Sequence, residues 1–558
     1  MALNHSKPWF KNYPEGVPQN IAPLEYASLV DFLEECLARF ENRKALEAMG
    51  RFFSYRELDR LSKDFASYLQ TLNLEPGARV ALMYPNVLDY VVAMIGTLRA
   101  GYVVVNVNPL YTARELESQL QDSGASVFAV LENFAHIFQK ILPQSSIQQV
   151  IVSSPGELLG VKGQFINWVA RRIKKLIPAW DFAYIPFKEA LRIGGRHHFQ
   201  KPDIDLDSIA FLQYTGGTTG VSKGAVLLHR NILSNVSQIE AWLNPGLKQK
   251  PEQQLAFLCA LPMTHIFALT ACAFLGIAKG GLLILVPNPR DIGGFIKMLS
   301  KHPNINIFPG VNTLFHALIH RPEFKKVKLP NLLLTIGGGM AVHKKTADHW
   351  QALTGIPIAQ GYGLSETSPV VCVNTPLEKH FTGHIGMPIP STDVVILDDD
   401  EVELPNGAAG EIAIKGPQVM QGYWNKSEET AHCMTADGYF KSGDIGIITA
   451  EGYIQIVDRK KDMIVVAGFK VFPNEVEDVL IQMIGIKECG VIGVPHRKLG
   501  EIVKAYVVRD DHHLTEAQIL QYCKDHMTSF KRPRKIVFLN DLPKSNVGKI
   551  LRRELRNL

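Results

Sequence analysis

The sequence predicts an α/β protein. It has a large N-terminal domain of α/β subdomains, a small β-rich subdomain that closes it, and a small α+β C-terminal domain. Three observations predict this. Apolar strand-like runs alternate with helical patterns from Ala78 to Gly363. Short alternating runs broken by Gly and Pro fill about 393–456. The charged string Asp458-Arg459-Lys460-Lys461-Asp462 then separates these from a compact terminal pattern. The 558 residues suffice for about three to four folding units. With 46% hydrophobic and 20% charged residues, the composition excludes disordered, collagen-like and disulfide-stapled chains. A net charge of +5, from 59 basic and 54 acidic residues, is too balanced to imply nucleic acid. Seven scattered cysteines without a CxxC pair read as reduced thiols of a cytosolic protein, with no structural zinc.

The elements follow in chain order. The opening MALNHSKPWFKNYPEG has no apolar stretch before its prolines, so no secretory leader is expected. Ser28–Phe40 places Leu29, Phe32, Leu33, Cys36, Leu37 and Phe40 at helical spacing behind Ser28 as N-cap. ARVALMYP, YVVVNVNP and ASVFAVL read as strands, with LDYVVAMIGTLRAG and TARELESQLQDSG as the helices between them. The same alternation returns at LLILVP, INIFPGV, NLLLTIGGG and IPIAQGYG, which argues for parallel sheets. Leu255–Ala278 carries no Asp, Glu, Lys or Arg and is long enough to span a bilayer. Pro262, Thr264 and His265 interrupt it, so a buried strand followed by a helix is the expectation. Val161–Trp180 is basic, apolar and free of acid, which fits two readings: an interfacial helix on an anionic membrane, or a surface helix with a solvated basic face. DVVILD, GEIAIKG, DIGIIT and GYIQIVD supply the β-rich subdomain. The string 458–462 is too charged for a core and is expected to be a linker.

The most informative segment runs from Phe211 to Asn231. A short apolar run leads into Tyr214-Thr215-Gly216-Gly217-Thr218-Thr219-Gly220, with Lys223 close behind. Glycines let backbone N–H groups approach an anion, hydroxyls donate to phosphate oxygens, and the lysine adds charge. The spacing is not that of the GxxxxGK[ST] loop, because Ser222 precedes Lys223 and Gly224 follows it.

YTGGTTGVSKGA resembles the phosphate-binding signature of the adenylate-forming (ANL) superfamily. Other segments resemble that family in the right order: LPMTHIFALT at 261–270, GGGM at 337–340, QGYGLSET at 360–367, KSGDIG at 441–446, DRKKDMIVVAGFKVFPNEVE at 458–477 and PKSNVGKILRREL at 543–555. The resemblance covers essentially the whole chain, and its texture is most similar to bacterial long-chain fatty-acid–CoA ligases. It implies residues 1–458 as the AMP-binding adenylation domain, with the β-rich subdomain at about 393–456. It implies 459–462 as a hinge and 463–558 as a mobile lid. The implied reaction joins ATP and a fatty acid into an acyl-adenylate, releasing pyrophosphate; coenzyme A then displaces AMP.

The resemblance assigns roles. Lys549 would bridge the carboxylate and the α-phosphate. His265 would orient the carboxylate or gate the thiol. Thr215, Thr218, Thr219 and Lys223 would hold phosphates, and Glu366 with Thr215 would hold Mg²⁺. Tyr362, within Gln360-Gly361-Tyr362-Gly363, would stack on adenine against Gly338 and Gly339. Asp444 would accept from the ribose hydroxyls, as an acceptor-only carboxylate can. Arg459 would reach ribose or phosphate, Lys461 would be the hinge residue, and Gly468 would leave room for pantetheine. The implied partners are ATP, fatty acid and CoA, with contact to an anionic membrane surface and a homodimer as further expectations, in a cytoplasmic or inner-face setting. Three other readings stay open: a medium-chain or aromatic acid as substrate, an enzyme that stops at the acyl-adenylate, and a non-catalytic nucleotide-binding scaffold.

Overall fold

The computed structural model describes residues 7–215, 222–247, 254–511, 513–545 and 548–558. Two large sheets form the N-terminal body. One runs in the order Gly422–Tyr423, Lys223–Leu228, Ile209–Thr215, Val103–Asn106, Arg79–Met83, Val127–Leu131, Gln149–Ser153, Ile185–Pro186. From Ile209–Thr215 to Ile185–Pro186 every neighbour pair is parallel. The second runs Met387–Pro388, Val370–Val373, Ile358–Gly363, Leu334–Gly337, Ile307–Gly310, Ala256–Cys259, Leu282–Leu285, Lys44–Ala48, Arg51–Ser54, with six adjacent parallel strands from Ile358–Gly363 to Lys44–Ala48. These strands are Val/Ile/Leu-rich and buried almost throughout, as strands covered on both faces must be. Helix Leu88–Arg99 is buried at every position because it packs against strands of both sheets.

The caps follow the local sequence. Ser28 accepts from Asp31 N to start Leu29–Arg39. Thr112 and Glu115 form a capping box on Ala113–Ser123, which stops at Gly124 in the left-handed region. The uncharged stretch resolves into the strand Ala256–Cys259 and a buried helical run from Ile266 to Ala278, wound as a π-helix over Leu269–Phe274. Among the described residues no helix is long and apolar enough to cross a membrane. All seven cysteines are unpaired.

Asp393–Leu397, Gly410–Lys415, Phe440–Ile448 and Ile454–Arg459 form an antiparallel four-stranded sheet. Beyond it, Ile464–Val466, Phe469–Val471, Ile486–His496, Gly500–Arg509 and Lys535–Phe538 form the sheet of the terminal lobe. Helices Pro473–Leu480 and Glu516–His526 complete its separate core.

Two features differ from the sequence reading. The string 458–462 is not a solvated linker. Asp458 is fully buried inside the last strand of the four-stranded sheet, and Asp462 is buried one 3₁₀ turn later. Burial is tolerated because arginines from the far end of the chain pair with both carboxylates. The basic segment forms helix only over Val161–Trp168 and a π turn over Val169–Ile173. Lys175 then takes a positive φ and the helix does not reach Trp180.

Candidate active site

The site lies where the ends of both large sheets meet the four-stranded sheet and the terminal lobe. Asp444 is its buried centre. Its Oδ1 pairs with Arg459 Nε at 2.9 Å, and its Oδ2 accepts from the Tyr362 hydroxyl at 2.7 Å. The turn that presents it is fixed by Ser442 Oγ, which accepts from Asp444 N, and by Glu411, which accepts from Gly443 N. A carboxylate has about four acceptor directions, so capacity for two ribose hydroxyls remains. Glu366 is buried on a 3₁₀ turn, Ser365–Thr367. Burial raises its pKa, while a 2.7 Å hydrogen bond from the Tyr423 hydroxyl opposes the rise. No ion-pair partner for Glu366 stands among the described residues.

Two glycines here, Gly363 and Gly338, are sterically required. A Cβ at Gly363 would lie 2.0 Å from Pro369 O, and one at Gly338 would lie 2.9 Å from the Phe267 ring. The second contact joins the GGGM turn to the segment that carries His265. That segment is clamped from outside. Asn86 donates to Cys259 O and Leu261 O and accepts from Met263 N; Tyr90 donates to Met263 O; Gln213 donates to Thr264 O. His265 Nδ1 accepts from Phe267 N, which leaves the ring proton on Nε2. Burial lowers its pKa to about 4, so it is a neutral donor at physiological pH.

Lys549 comes from the terminal lobe. Ser545 accepts at Oγ from Lys549 N and at its carbonyl from Gly548 N, which closes a tight loop. Gly548 sits at φ +81, and a Cβ there would lie 2.3 Å from Thr313 Oγ1, at the start of helix Asn312–Ile319. Gly548 therefore abuts the large domain. Burial, then the nearby Arg459, lowers the Lys549 pKa to about 8; Asp444 opposes them.

An ion-pair clasp sets this lobe orientation. Arg552, three residues beyond Lys549, pairs with Glu477 at 2.8 Å, Asp458 at 3.2 Å and Asp462 at 3.4 Å. Asp458 also accepts from Asn474 N at 2.7 Å, and Arg556 pairs with Asp462 at 2.8 Å. Asp458 stands before the 459–462 segment, whereas Asn474 and Arg552 stand after it. The clasp thus bridges the segment and specifies one orientation.

Other expected residues fall elsewhere. Tyr214 turns into the core, packs on Gly224 and donates to Asp122, because alternate residues of a strand face opposite sides. Thr215 ends that strand on the other face, opposite Lys223. Lys223 pairs with Glu429 and lies 5.3 Å above the Tyr423 ring. Gln360 uses its side chain on Val342 N and His384 O, so it braces the GGGM turn. Gly361 has ordinary packing contacts, Gly339 takes φ +74, and Lys461 is exposed. Gly468 occupies an exposed hairpin at φ +87 with nothing within 4 Å of a Cβ, so the turn geometry explains it in this orientation. Gly216, Gly217, Thr218, Thr219 and Gly220 lie outside the described residues. Sequence reasoning missed Asn86, Tyr90, Gln213, Tyr423, Asn474, Thr313 and Arg552. Gln213, Asn474 and Arg552 lie inside segments that the sequence singled out, but nothing there gave them a role.

The sequence model of the AMP-binding enzyme family matches residues 33–424, and that of the AMP-binding enzyme C-terminal domain matches 475–549. The chain belongs to the AMP-binding enzyme family. It is 47% identical to the long-chain-fatty-acid–CoA ligase of Escherichia coli O6:H1, over 99% of this chain and 98% of that protein. It is 30% identical to 4-coumarate–CoA ligase 5 of Oryza sativa subsp. japonica, over 96% and 95%. Among solved structures, ATP-bound MatB from Rhodopseudomonas palustris aligns with TM-score 0.82 at 28% identity, covering 95% of this chain and 98% of that one. Apo MatB, with the same identity and coverage, aligns at 0.72. This AMP-binding enzyme is thus more similar overall to the ATP-bound than to the apo structure of MatB.

Two outcomes follow. Asp458→Asn keeps the acceptor for Asn474 N but removes the charge that Arg552 grips. Losing one partner of a buried pair costs about 3–5 kcal/mol. ATP–pyrophosphate exchange should fall at least about tenfold, while thioester formation from supplied acyl-adenylate holds within about twofold. For pH, a Lys549 pKa near 8 means the charged amine prevails below 8 and is lost above it. The kcat/KM of adenylation, which reports the free enzyme, should fall as pH rises through about 8, and the fall should move upward in Lys549→Arg.

Proposed function

We propose that this enzyme is a long-chain fatty-acid–CoA ligase, an acid–thiol ligase that uses ATP and forms AMP. The reading is carried by Lys549, a half-buried lysine of a separate lobe whose charge neighbours include Asp444 and Arg459, the same Asp444 that pairs with Arg459 and Tyr362. The chain holding it is similar end to end to long-chain-fatty-acid–CoA ligases. The chemistry asks for this arrangement. A carboxylate oxygen must attack the α-phosphorus while pyrophosphate leaves, so an anion approaches a polyanion. Charge neutralisation and alignment lower that barrier most.

Asp444 would hold the ribose, and Tyr362 with Gly338 and Gly339 would enclose adenine. Gln360, Gly361 and Gly363 would shape that wall. Arg459 and Lys549 would supply positive charge beside the α-phosphate and the incoming carboxylate. His265, neutral with its proton on Nε2, would donate to the carboxylate without repelling a second cation. Thr215, Gly216, Gly217, Thr218, Thr219, Gly220 and Lys223 would receive the β- and γ-phosphates; Lys223 would exchange Glu429 for phosphate.

Mg²⁺ fits the donor set. Glu366 is a buried carboxylate with no cation paired to it among the described residues, and no cluster of three or more His, Cys, Asp or Glu side chains suited to a metal occurs there. One carboxylate and the Thr215 hydroxyl, completed by phosphate oxygens and water, suit a hard and partly hydrated cation. When bound, it would offset charge on the phosphates.

In the second half-reaction the CoA sulfur bonds to the acyl carbon, the acyl–phosphate bond breaks, AMP leaves and the thiol proton is released. Lys549 would occupy the approach of the thiol in the present orientation. The clasp at Asp458 would open, the lobe would turn about Lys461, and Gly468 would come to face the pantetheine arm. Peripheral contact with an anionic membrane surface and a homodimer belong to the same reading.

Two experiments test this function. Thioester formation should be at least about tenfold faster with long-chain fatty acids than with 4-coumarate or benzoate, since each methylene buried favours binding by about 0.8 kcal/mol. A preference for an aromatic acid would replace the reading with the rival that the rice relative suggests. Lys549→Ala should lower ATP–pyrophosphate exchange by about 10²–10³-fold, the cost of one preorganised charge, and leave thioester formation from supplied palmitoyl-AMP within about threefold.

A further inference from the structure

One buried side chain joins the peptide that carries His265 to the strand that carries Thr215. Gln213 lies two residues before Thr215 on strand Ile209–Thr215, so both side chains leave the same face of the strand. Gln213 is buried, and its Nε2 donates at 2.9 Å to Thr264 O, the carbonyl directly before His265. The same strand therefore serves both sides of the reaction. Thr215 stands where the phosphate loop begins, and Gln213 holds the peptide bond that leads into the histidine.

Hydrogen-bond arithmetic fixes how Gln213 is held. A carbonyl can only accept, so Nε2 must face Thr264 O and Oε1 must face Asn106. Asn106 Nδ2 donates to that oxygen at 3.0 Å, which turns Asn106 Oδ1 toward Tyr90. The Tyr90 hydroxyl lies 2.9 Å from both Asn106 Oδ1 and Met263 O, with one proton to serve them. Gln119 Nε2 donates to Asn106 O at 2.8 Å and anchors the chain from behind. Turning over the Gln213 amide would set oxygen against oxygen at Thr264, and turning over Asn106 would do so at Gln213. Tyr90, Asn106, Gln119 and Gln213 are all buried, where an unmade hydrogen bond is costly, so the chain holds one arrangement.

The His265 ring makes one hydrogen bond among the described residues, from Phe267 N to its Nδ1. The direction of Nε2 therefore follows the peptide at 264–265, which Gln213 holds. Misplacing an aligned group by about 1 Å can cost about 100-fold in rate. We propose that Gln213 is a positioning residue for acyl-adenylate formation: it sets the His265 ring in register with the phosphate strand, and Asn106 orients its amide. The inference rests on the role given above to His265, and it makes the clamp on that segment a direct tie between the acid side and the phosphate side of the site.

A double-mutant cycle between Gln213→Met and His265→Ala tests it, because methionine keeps the length of glutamine and removes both hydrogen bonds. The full chain is assayed for ATP–pyrophosphate exchange with the acid that the native enzyme prefers, and for thioester formation from the matching acyl-adenylate. Gln213→Met should lower the kcat of exchange by about 10–100-fold, and leave the KM for ATP and the thioester step within about threefold. In the His265→Ala background the same change should lower exchange by less than about twofold, since its action passes through the ring. An equal loss in both backgrounds would overturn the proposal, and so would a parallel loss in exchange and thioester formation, the mark of a merely structural role. Asn106→Leu leaves Gln213 in place without its second partner. It should give a loss of about three- to tenfold with the same dependence on His265, and it decides the matter if Gln213→Met does not fold; unchanged exchange in Asn106→Leu would then overturn the proposal. Every rate is a ratio to the native enzyme on its preferred acid. A preference for an aromatic acid would therefore sink the fatty-acid reading, while the cycle would still decide the role of Gln213.

Discussion

The arrangement of this enzyme depends on a buried ion-pair clasp across the segment that joins its two parts. Asp458, Asp462 and Glu477 converge on Arg552, and Arg556 adds a second pair. Burial opposes the Arg552 charge, yet the carboxylates of Glu477 and Asp458 outweigh it and hold the guanidinium firmly protonated. Burial raises the pKa of Asp458 and Glu477, and Arg552 pulls both down. Such a network adds little net stability over apolar packing, but it is specific in direction. It is satisfied when the lobe sits in one place. Lys549 lies three residues from Arg552, so what holds the clasp also positions the amine.

The electrostatics of the pocket are then consistent. Arg459, Lys461 and Arg552 surround Lys549, and Asp444 alone among the named neighbours favours its charge. A lysine whose pKa burial and neighbouring cations lower to about 8 is stabilised in its charged form by anions that arrive. Glu366 shows the reverse, a buried carboxylate without a paired cation. Both groups are under-compensated by the protein itself and complementary to a phosphate chain with its metal. His265 complements them by being neutral: its geometry fixes the tautomer and burial removes the charge.

Much of this was legible in the sequence, and the failures have physical causes. Strand runs such as Val103–Asn106 and helix caps such as Ser28 and Thr112 are local, so spacing and residue type report them. Asp444, Arg459, Glu366 and Lys549 stand in ordered motifs, and the fold brings Asp444 and Arg459 within electrostatic reach of both Glu366 and Lys549. Tyr214 and Thr215 show the limit: one step along a strand decides which face a side chain takes. Asp458 read as linker because its charge was visible and its partner, 94 residues away, was not. Asn86 and Gln213 carry no motif, and only the tertiary fold shows that they clamp the His265 segment. The Val161–Leu176 composition left two readings open, since charge and apolarity alone do not tell which side a helix presents.

The central claim is that the lobe places the Lys549 amine at the junction of carboxylate and α-phosphate while the Asp458–Arg552 clasp is closed. A crystal structure with a non-hydrolysable fatty-acyl sulfamoyl-adenosine tests it most directly. The account predicts the Lys549 Nζ within hydrogen-bond reach, about 2.7–3.2 Å, of the carbonyl or sulfamoyl oxygens, with Asp458 still paired to Arg552. A lysine turned away from the analogue while the clasp remains closed would contradict it.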